Sequence, residues 1–256
     1  MGIINVTPDS FSDGGNFFKR ENAVDAAIEM IDKGADIIDI GGESSRPGSD
    51  PVSEEEELRR VIPVIEDVLA KRPEAIISVD TFKGGVAKKA LKSGASIIND
   101  IAGGRLDPKI LEVIAEYQAT YIIMHSRSVP KDMQQHTEYD NLVYEIKISL
   151  GQRLEIAKSY NIEKLIIDPG IGFAKTAAQN YEILKRLQEF TTFEIPVLIG
   201  LSRKSFIGNT LDMEIDKRDF PTSILETIAI INGARIIRTH NVDNFLTIKK
   251  IFSQFI

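Results

Sequence analysis

The sequence contains no cysteine, which removes disulfides, thiolate metal sites, iron–sulfur clusters and cysteine nucleophiles together. It has no apolar run approaching the roughly 20 residues that span a bilayer, and Met1 leads into Gly-Ile-Ile-Asn-Val with no basic leader segment. No membrane attachment is expected, and the compartment expected is cytoplasmic. Positive charge is in deficit: 31 Lys plus Arg stand against 38 Asp plus Glu, a formal charge of -7. The field around the molecule repels polyanions, so no nucleic acid is expected as a partner. No Walker A sequence occurs. The nearest approach to a dinucleotide fingerprint, Gly170-Ile171-Gly172-Phe173-Ala174-Lys175, lacks its third glycine.

What is present is a regular alternation. Eight short apolar runs, Ile3 to Val6, Ile37 to Ile40, Ile76 to Val79, Ile97 to Asn99, Tyr121 to Met124, Leu165 to Ile167, Val197 to Ile199 and Ile236 to Arg238, are separated by amphipathic stretches long enough for a helix and two loops. Near-continuous Ile/Val strands buried on both faces, repeated eight times in 256 residues, predict a single-domain (β/α)8 barrel over 1–256. The punctuation agrees. Ser53 before Glu54, Glu55 and Glu56 predicts a capping box with Glu56 reaching back. Gly34-Ala35, Gly94-Ala95 and Gly233-Ala234 predict helix ends with a left-handed glycine. Pro63 predicts a kink or an early helix end, and Thr81 a helix N-cap.

In such a barrel the C-terminal strand ends carry the active site, and every strand here ends in polar groups. They are Asn5, the run Gly41 to Gly48, Asp80-Thr81, Asn99-Asp100, His125, Asp168, the run Ser202 to Ser205, and Arg238 to Asn241. Any single Asp at a strand end is readily a turn or cap residue. Caps, however, do not call for Arg203, Lys204, Arg238 or histidines, and a buried cation needs an anion. Asp80, Asn99 and Asp168 suit a flat heterocycle rich in N–H donors, with Lys204 donating to its carbonyl or ring nitrogen. Arg238, His240 and Asn5 suit phosphate oxygens, and Mg²⁺ suits that oxygen-rich end. Zinc does not, since His125, His136 and His240 have no ligand spacing and no cysteine assists. The loops Thr7 to Phe18 and Gly41 to Pro51 read as lids.

Four runs together resemble the signatures of the dihydropteroate synthase family. They are Asn5 to Gly15, Gly41 to Gly48, Asp168 to Phe173 and Ser202 to Phe206, in the family's order over essentially the whole chain. The resemblance implies a transferase that condenses 6-hydroxymethyl-7,8-dihydropterin diphosphate with p-aminobenzoate, releasing pyrophosphate on the way to folate. It implies Asp80, Asn99, Asp168 and Lys204 on the pterin ring, with Ile101 and Met124 as apolar walls, and Asn5, Arg238 and His240 on the diphosphate, with Asn5 as a Mg²⁺ ligand. Asp13 and Arg46 would arrive with the lids, and Phe11, Pro47, Phe173 and Ser205 would shape the aminobenzoate pocket. Asp80, Asp168, Lys204, Asp13 and Arg46 would be the catalytic set.

The family also implies a homodimer, sulfonamide sensitivity, and a possible fusion to a pterin pyrophosphokinase. The chain departs from the family's usual pattern at Ser45, in the Ser126 to Tyr139 loop, at Asn241, and at its front, where the segment that usually precedes strand one is missing. The alternative reading is a non-catalytic pterin- or folate-binding barrel, which has no use for the pyrophosphate grip or for Ser202-Arg203-Lys204-Ser205.

Overall fold

A computed structural model of the chain describes residues 1–7, 16–44, 48–129 and 131–255, and of residues 16–19 the backbone alone. Strands and helices alternate as β1 (Gly2–Asn5), α1 (Asn16–Lys33), β2 (Ile38–Gly41), α2 (Glu54–Lys71), β3 (Ile77–Asp80), α3 (Gly84–Lys92), β4 (Ile97–Asp100), α4 (Lys109–Tyr117), β5 (Thr120–Met124), α5 (Leu142–Ser159), β6 (Leu165–Asp168), α6 (Ala177–Lys185), β7 (Leu198–Gly200), α7 (Ser205–Leu211), α8 (Asp219–Ile231), β8 (Ile236–Arg238) and α9 (Val242–Phe252). β1 to β6 pair in parallel in sequence order and β7 pairs with β8. Parallel bridges Ile167↔Val197 and Gly2↔Thr239 close the ring. The fold is a TIM barrel, and the end of the segment read as a first lid, from Asn16 on, belongs to α1.

Side-chain alternation sorts the core into layers. The larger apolar cluster lies between strands and helices, while Met1, Ile97, Ile122, Ile166 and Leu198, flanked by Ile37 and Ile236, form a separate plug contributed by seven strand regions. A period of two puts the residue two positions further along each strand on the same inward face. Those residues are Ile3, Asp39, Asn99, Met124, Asp168, Gly200 and Arg238, of which four are polar or charged. One rule of strand geometry thus sets an apolar floor beneath a polar mouth.

Local signals mostly hold. Gly34, Gly94 and Gly233 take φ of +108°, +107° and +103°, a conformation L side chains rarely adopt, and each ends a helix just before a strand. Two expectations fail, and of the two outcomes read for Pro63 the early end does not occur. α2 continues to Lys71 with Val61, Ile62, Val64, Ile65 and Val68 buried, so packing of that face outweighs one lost hydrogen bond. Ser53 does accept from the Glu56 amide, but Glu56 does not reach back, because its carboxylate is taken by Arg59 and Arg60. The full capping box is at Thr176 and Gln179. Thr81 is not a cap. It accepts from the Lys83 amide at 3.2 Å, and the first amide of α3, on Gly84, is taken by Asp107 at 2.7 Å.

Candidate active site

The inward ring at the C-terminal face is held together by charge. Arg238 donates from Nε to Asp39 Oδ2 at 2.6 Å and from Nη2 to Asp80 Oδ2 at 2.8 Å. Asn99, in register with Asp80 across β3 and β4, donates from its amide to the same Asp39 oxygen at 3.1 Å. Because that oxygen only accepts, the Asn99 amide nitrogen is turned inward and its carbonyl oxygen is left for the mouth.

Asp168 spends Oδ1 on the Gly170 amide at 2.7 Å. Gly170 permits that turn: it has φ +73°, and a Cβ there would fall 1.9 Å from the His125 carbonyl oxygen. Lys204, from the loop after β7, donates to the Ile171 carbonyl and lies 5.1 Å from the Phe173 ring centroid.

The same crowding sets the proton affinities. Desolvation pushes Asp80 up to about 7 although Arg238 pulls the other way, and it raises Asp168 against the opposing field of Lys204. Desolvation also pushes Lys204 down to about 8, with Asp168 the main restraint. Arg238 is bonded to Asp80 at 2.8 Å, so the basic end of the ring adjoins the acidic one.

On the far side of Arg238, Asn5 Nδ2 lies 3.5 Å from His240 Nε2, and His240 Nδ1 lies 2.9 Å from Ser202 Oγ. Asn5 therefore points its amide nitrogen at His240 and keeps a side-chain oxygen beside the mouth. Among the described residues no cluster of three His, Cys, Asp or Glu could hold a metal. A metal here would draw on the Asn5 oxygen and on ligand oxygens, a hard donor set that fits Mg²⁺.

Met124 and Phe173 are buried together with Met133 and Ala174, and Ile101 packs against them. Ser205 is exposed at the start of α7. Phe11, Asp13, Arg46 and Pro47 lie outside the described residues. Asp100 takes the turn role that a lone strand-end Asp readily has, accepting from the Ala102 and Gly104 amides at 2.7 Å each and from the Tyr121 hydroxyl at 2.8 Å. One sequence reading needs correction: Arg203 requires no incoming anion, because Asp219 pairs with it at 2.6 and 2.8 Å.

Sequence reading missed Asp39 and Lys175, both buried. It also gave no role to the Ser126 to Tyr139 loop, which braces the β6–α6 connection through Met133 and through the Tyr139 hydroxyl on the Ala174 carbonyl at 3.1 Å. A cavity of about 1080 Å³ opens at the opposite end of the barrel, where Asp36 and Lys249 in its lining pair with each other at 2.9 Å.

The family model for pterin binding enzymes matches residues 1–240. The chain belongs to the pterin-binding enzyme family. Within that family it is 45% identical to the dihydropteroate synthase of Synechocystis over 98% of this chain and 88% of that protein. It is 47% identical to that of Escherichia coli over 94% and 86%. The crystal structure of the Yersinia pestis dihydropteroate synthase with a sulfonamide drug complex superposes with a TM-score of 0.93 at 42% identity, covering 100% of this chain and 93% of that one. The Xanthomonas albilineans enzyme with 4-aminobenzoic acid also gives 0.93, at 40% identity, covering 100% and 92%.

Proposed function

We propose that this chain is a transferase that joins 6-hydroxymethyl-7,8-dihydropterin diphosphate to p-aminobenzoate, forming 7,8-dihydropteroate and pyrophosphate. The observation that carries this reading is the single mouth in which acceptors on Asp80, Asn99 and Asp168 stand beside donors on Lys204 and Arg238. A pterin offers several N–H donors in one plane and one carbonyl, and the acidic set with Lys204 matches that pattern. Its diphosphate tail needs donors a short distance away, which Arg238 and His240 would supply.

Reaction begins with cleavage of the methylene C–O bond, the electron pair leaving with pyrophosphate. Positive charge develops on a methylene conjugated with the pterin, and the carboxylates of Asp80 and Asp168 stabilise it while Arg238 and His240 stabilise the departing anion. The aniline nitrogen of p-aminobenzoate, neutral near pH 7, then forms the C–N bond and loses its proton to solvent, so no strong general base is required. Phe173 and Ser205, with Phe11 and Pro47, shape the second-substrate pocket. Asp13 and Arg46 arrive with the lids, which exclude the water that would otherwise capture the cation. Mg²⁺, held by Asn5 and the diphosphate, would supply further charge neutralisation on the leaving group.

The chain works as a homodimer in the cytoplasm. α8 supports the dimer, because Phe220, Ile224, Ile228 and Ile231 form an exposed apolar stripe at helical spacing. No described helix is long and apolar enough to cross a membrane.

The deciding experiment is a pyrophosphate-release assay in which pterin diphosphate, p-aminobenzoate and Mg²⁺ are omitted in turn, with a sulfonamide as competitor. Release is expected only with all three present and should be suppressed by the sulfonamide. A protein that binds the pterin yet never turns over would overturn the enzymatic reading.

A further inference from the structure

Lys175 lies on the β6–α6 connection that carries Asp168 and Phe173, is only 2% exposed, and is used by no step above. Its Nζ donates to the Phe173 carbonyl at 2.9 Å and lies 3.1 Å from His125 Nδ1. An ammonium has no lone pair, so His125 accepts at Nδ1 and carries its proton on Nε2. Burial holds His125 well below the usual histidine range and therefore neutral. Neither hydrogen-bond partner is an anion.

The negative charge facing Lys175 is Asp168, at the end of β6, while Lys204 and Arg127 face it as like charges from the loops after β7 and β5. Burial pushes the ammonium down to about 7 and Asp168 pulls it back up. Asp168 in turn faces Lys204, Lys175 and Arg238. Lys204 and Arg238 line the mouth, where a bound ligand would compete with Asp168 for their charge. Lys175 is sealed behind the loop, out of a ligand's reach. The backbone has closed over it, since a Cβ on Gly170 would lie 3.3 Å from its Nζ.

We propose that Lys175 is a positioning residue for pterin recognition, whose ammonium ties the β6–α6 loop to the end of β5 and serves as the fixed counter-charge that keeps the Asp168 carboxylate ionised and aimed into the mouth. This inference rests on the pterin reading of the site. It accounts for a buried lysine in a loop where an apolar residue would fill the same space at lower desolvation cost.

The test is calorimetric binding of 6-hydroxymethylpterin to the wild-type protein and to Lys175→Met between about pH 5.5 and 8.5. In the variant, affinity should fall about tenfold or more at the acid end and return to within about threefold of wild type at the alkaline end, because Asp168 must then lose its proton without help. A loss of the same size at every pH, or no loss, would overturn the proposal.

A second readout does not depend on that single variant folding. Asp168→Asn combined with Lys175→Met should melt at or above Asp168→Asn alone, since the double change removes a buried cation left without its anion. A double variant melting well below it would also overturn the proposal. Failure of the wild-type protein to bind the pterin at any pH would instead sink the functional reading, and this inference with it.

Discussion

Arg238 holds its Nε 2.6 Å from Oδ2 of Asp39, a carboxylate fully sealed from solvent inside the barrel. The pair joins the second strand to the eighth, and its consequence reaches the mouth. With Nε on Asp39 and Nη2 on Asp80, the guanidinium is fixed in direction before any ligand arrives. Pre-set geometry of this kind lowers the ordering cost of gripping a phosphate.

Arg238→Ala should therefore do two separable things. Affinity for pyrophosphate and for the diphosphate substrate should drop by about 30-fold or more, the scale of a lost charge-assisted contact, while free pterin, which feels the change only through Asp80, should lose clearly less. The fold should also lose about 3 kcal/mol, because Asp39 is left as an unpaired buried charge. Titration calorimetry with the two ligands and a urea melt measure these. Equal losses for pterin and pyrophosphate would show that the anion end has been misplaced.

At the other end of the ring, Asp168→Asn should act on the pterin. Oδ1 is committed to the Gly170 amide, so the free oxygen is the one offered to the ligand, and an amide can place an NH₂ where an acceptor is needed. A loss of about 1–3 kcal/mol, or roughly 10- to 100-fold in pterin affinity, is expected, with pyrophosphate binding held within about threefold. Unchanged pterin binding would remove Asp168 from the ring-recognition set.

The barrel was legible because each strand is a short Ile-rich run, and the site was legible because such runs end in polar residues where the chain leaves the sheet. Asp39 escaped for a related reason. It interrupts Ile37-Ile38-Asp39-Ile40 in mid-strand, and its partner Arg238 lies 199 residues away, so nothing local explains it. Arg203 read as a cation awaiting an anion and Lys175 drew no reading, yet Lys175 is the one buried against a carbonyl and an imidazole while Arg203 is paired with Asp219. The Ser53 and Thr81 signals were sound as propensities but gave way to competing partners, Arg59 and Arg60 for Glu56 and Asp107 for the start of α3.

The α8 stripe gives a prediction about assembly. Phe220 is 75% exposed and Ile231 61%, and such a patch on an outer helix fits a two-fold contact with a second copy. The wild-type protein should sediment as a dimer at micromolar concentration, and Phe220→Glu with Ile224→Glu should yield a monomer whose melting temperature falls only by the loss of association. A wild-type monomer at all concentrations would refute the dimer.

Glu226 makes stability depend on pH in a predictable direction. Its side chain is 1% exposed, Oε1 has no hydrogen-bond partner, and burial pushes its pKa up to about 7, against the pull of the Thr239 hydroxyl and the N-terminal ammonium. Its ordinary value is 4.5. Between those two values the folded chain keeps a proton that the unfolded chain has released, so this group's contribution is full below about pH 4.5, declines as pH rises, and is lost above about 7. At 1.36 kcal/mol per unit, the loss across that window amounts to about 3 kcal/mol. Glu226→Gln keeps the shape and a hydrogen-bonding end without a titrating proton. Urea melts at pH 5, 6, 7 and 8 should show the variant gaining on the wild type with each step and exceeding it at pH 8. Other buried groups titrate in both proteins and cancel in the difference, so parallel curves would mean that Glu226 is ionised in the folded state throughout and that a compensating charge reaches it.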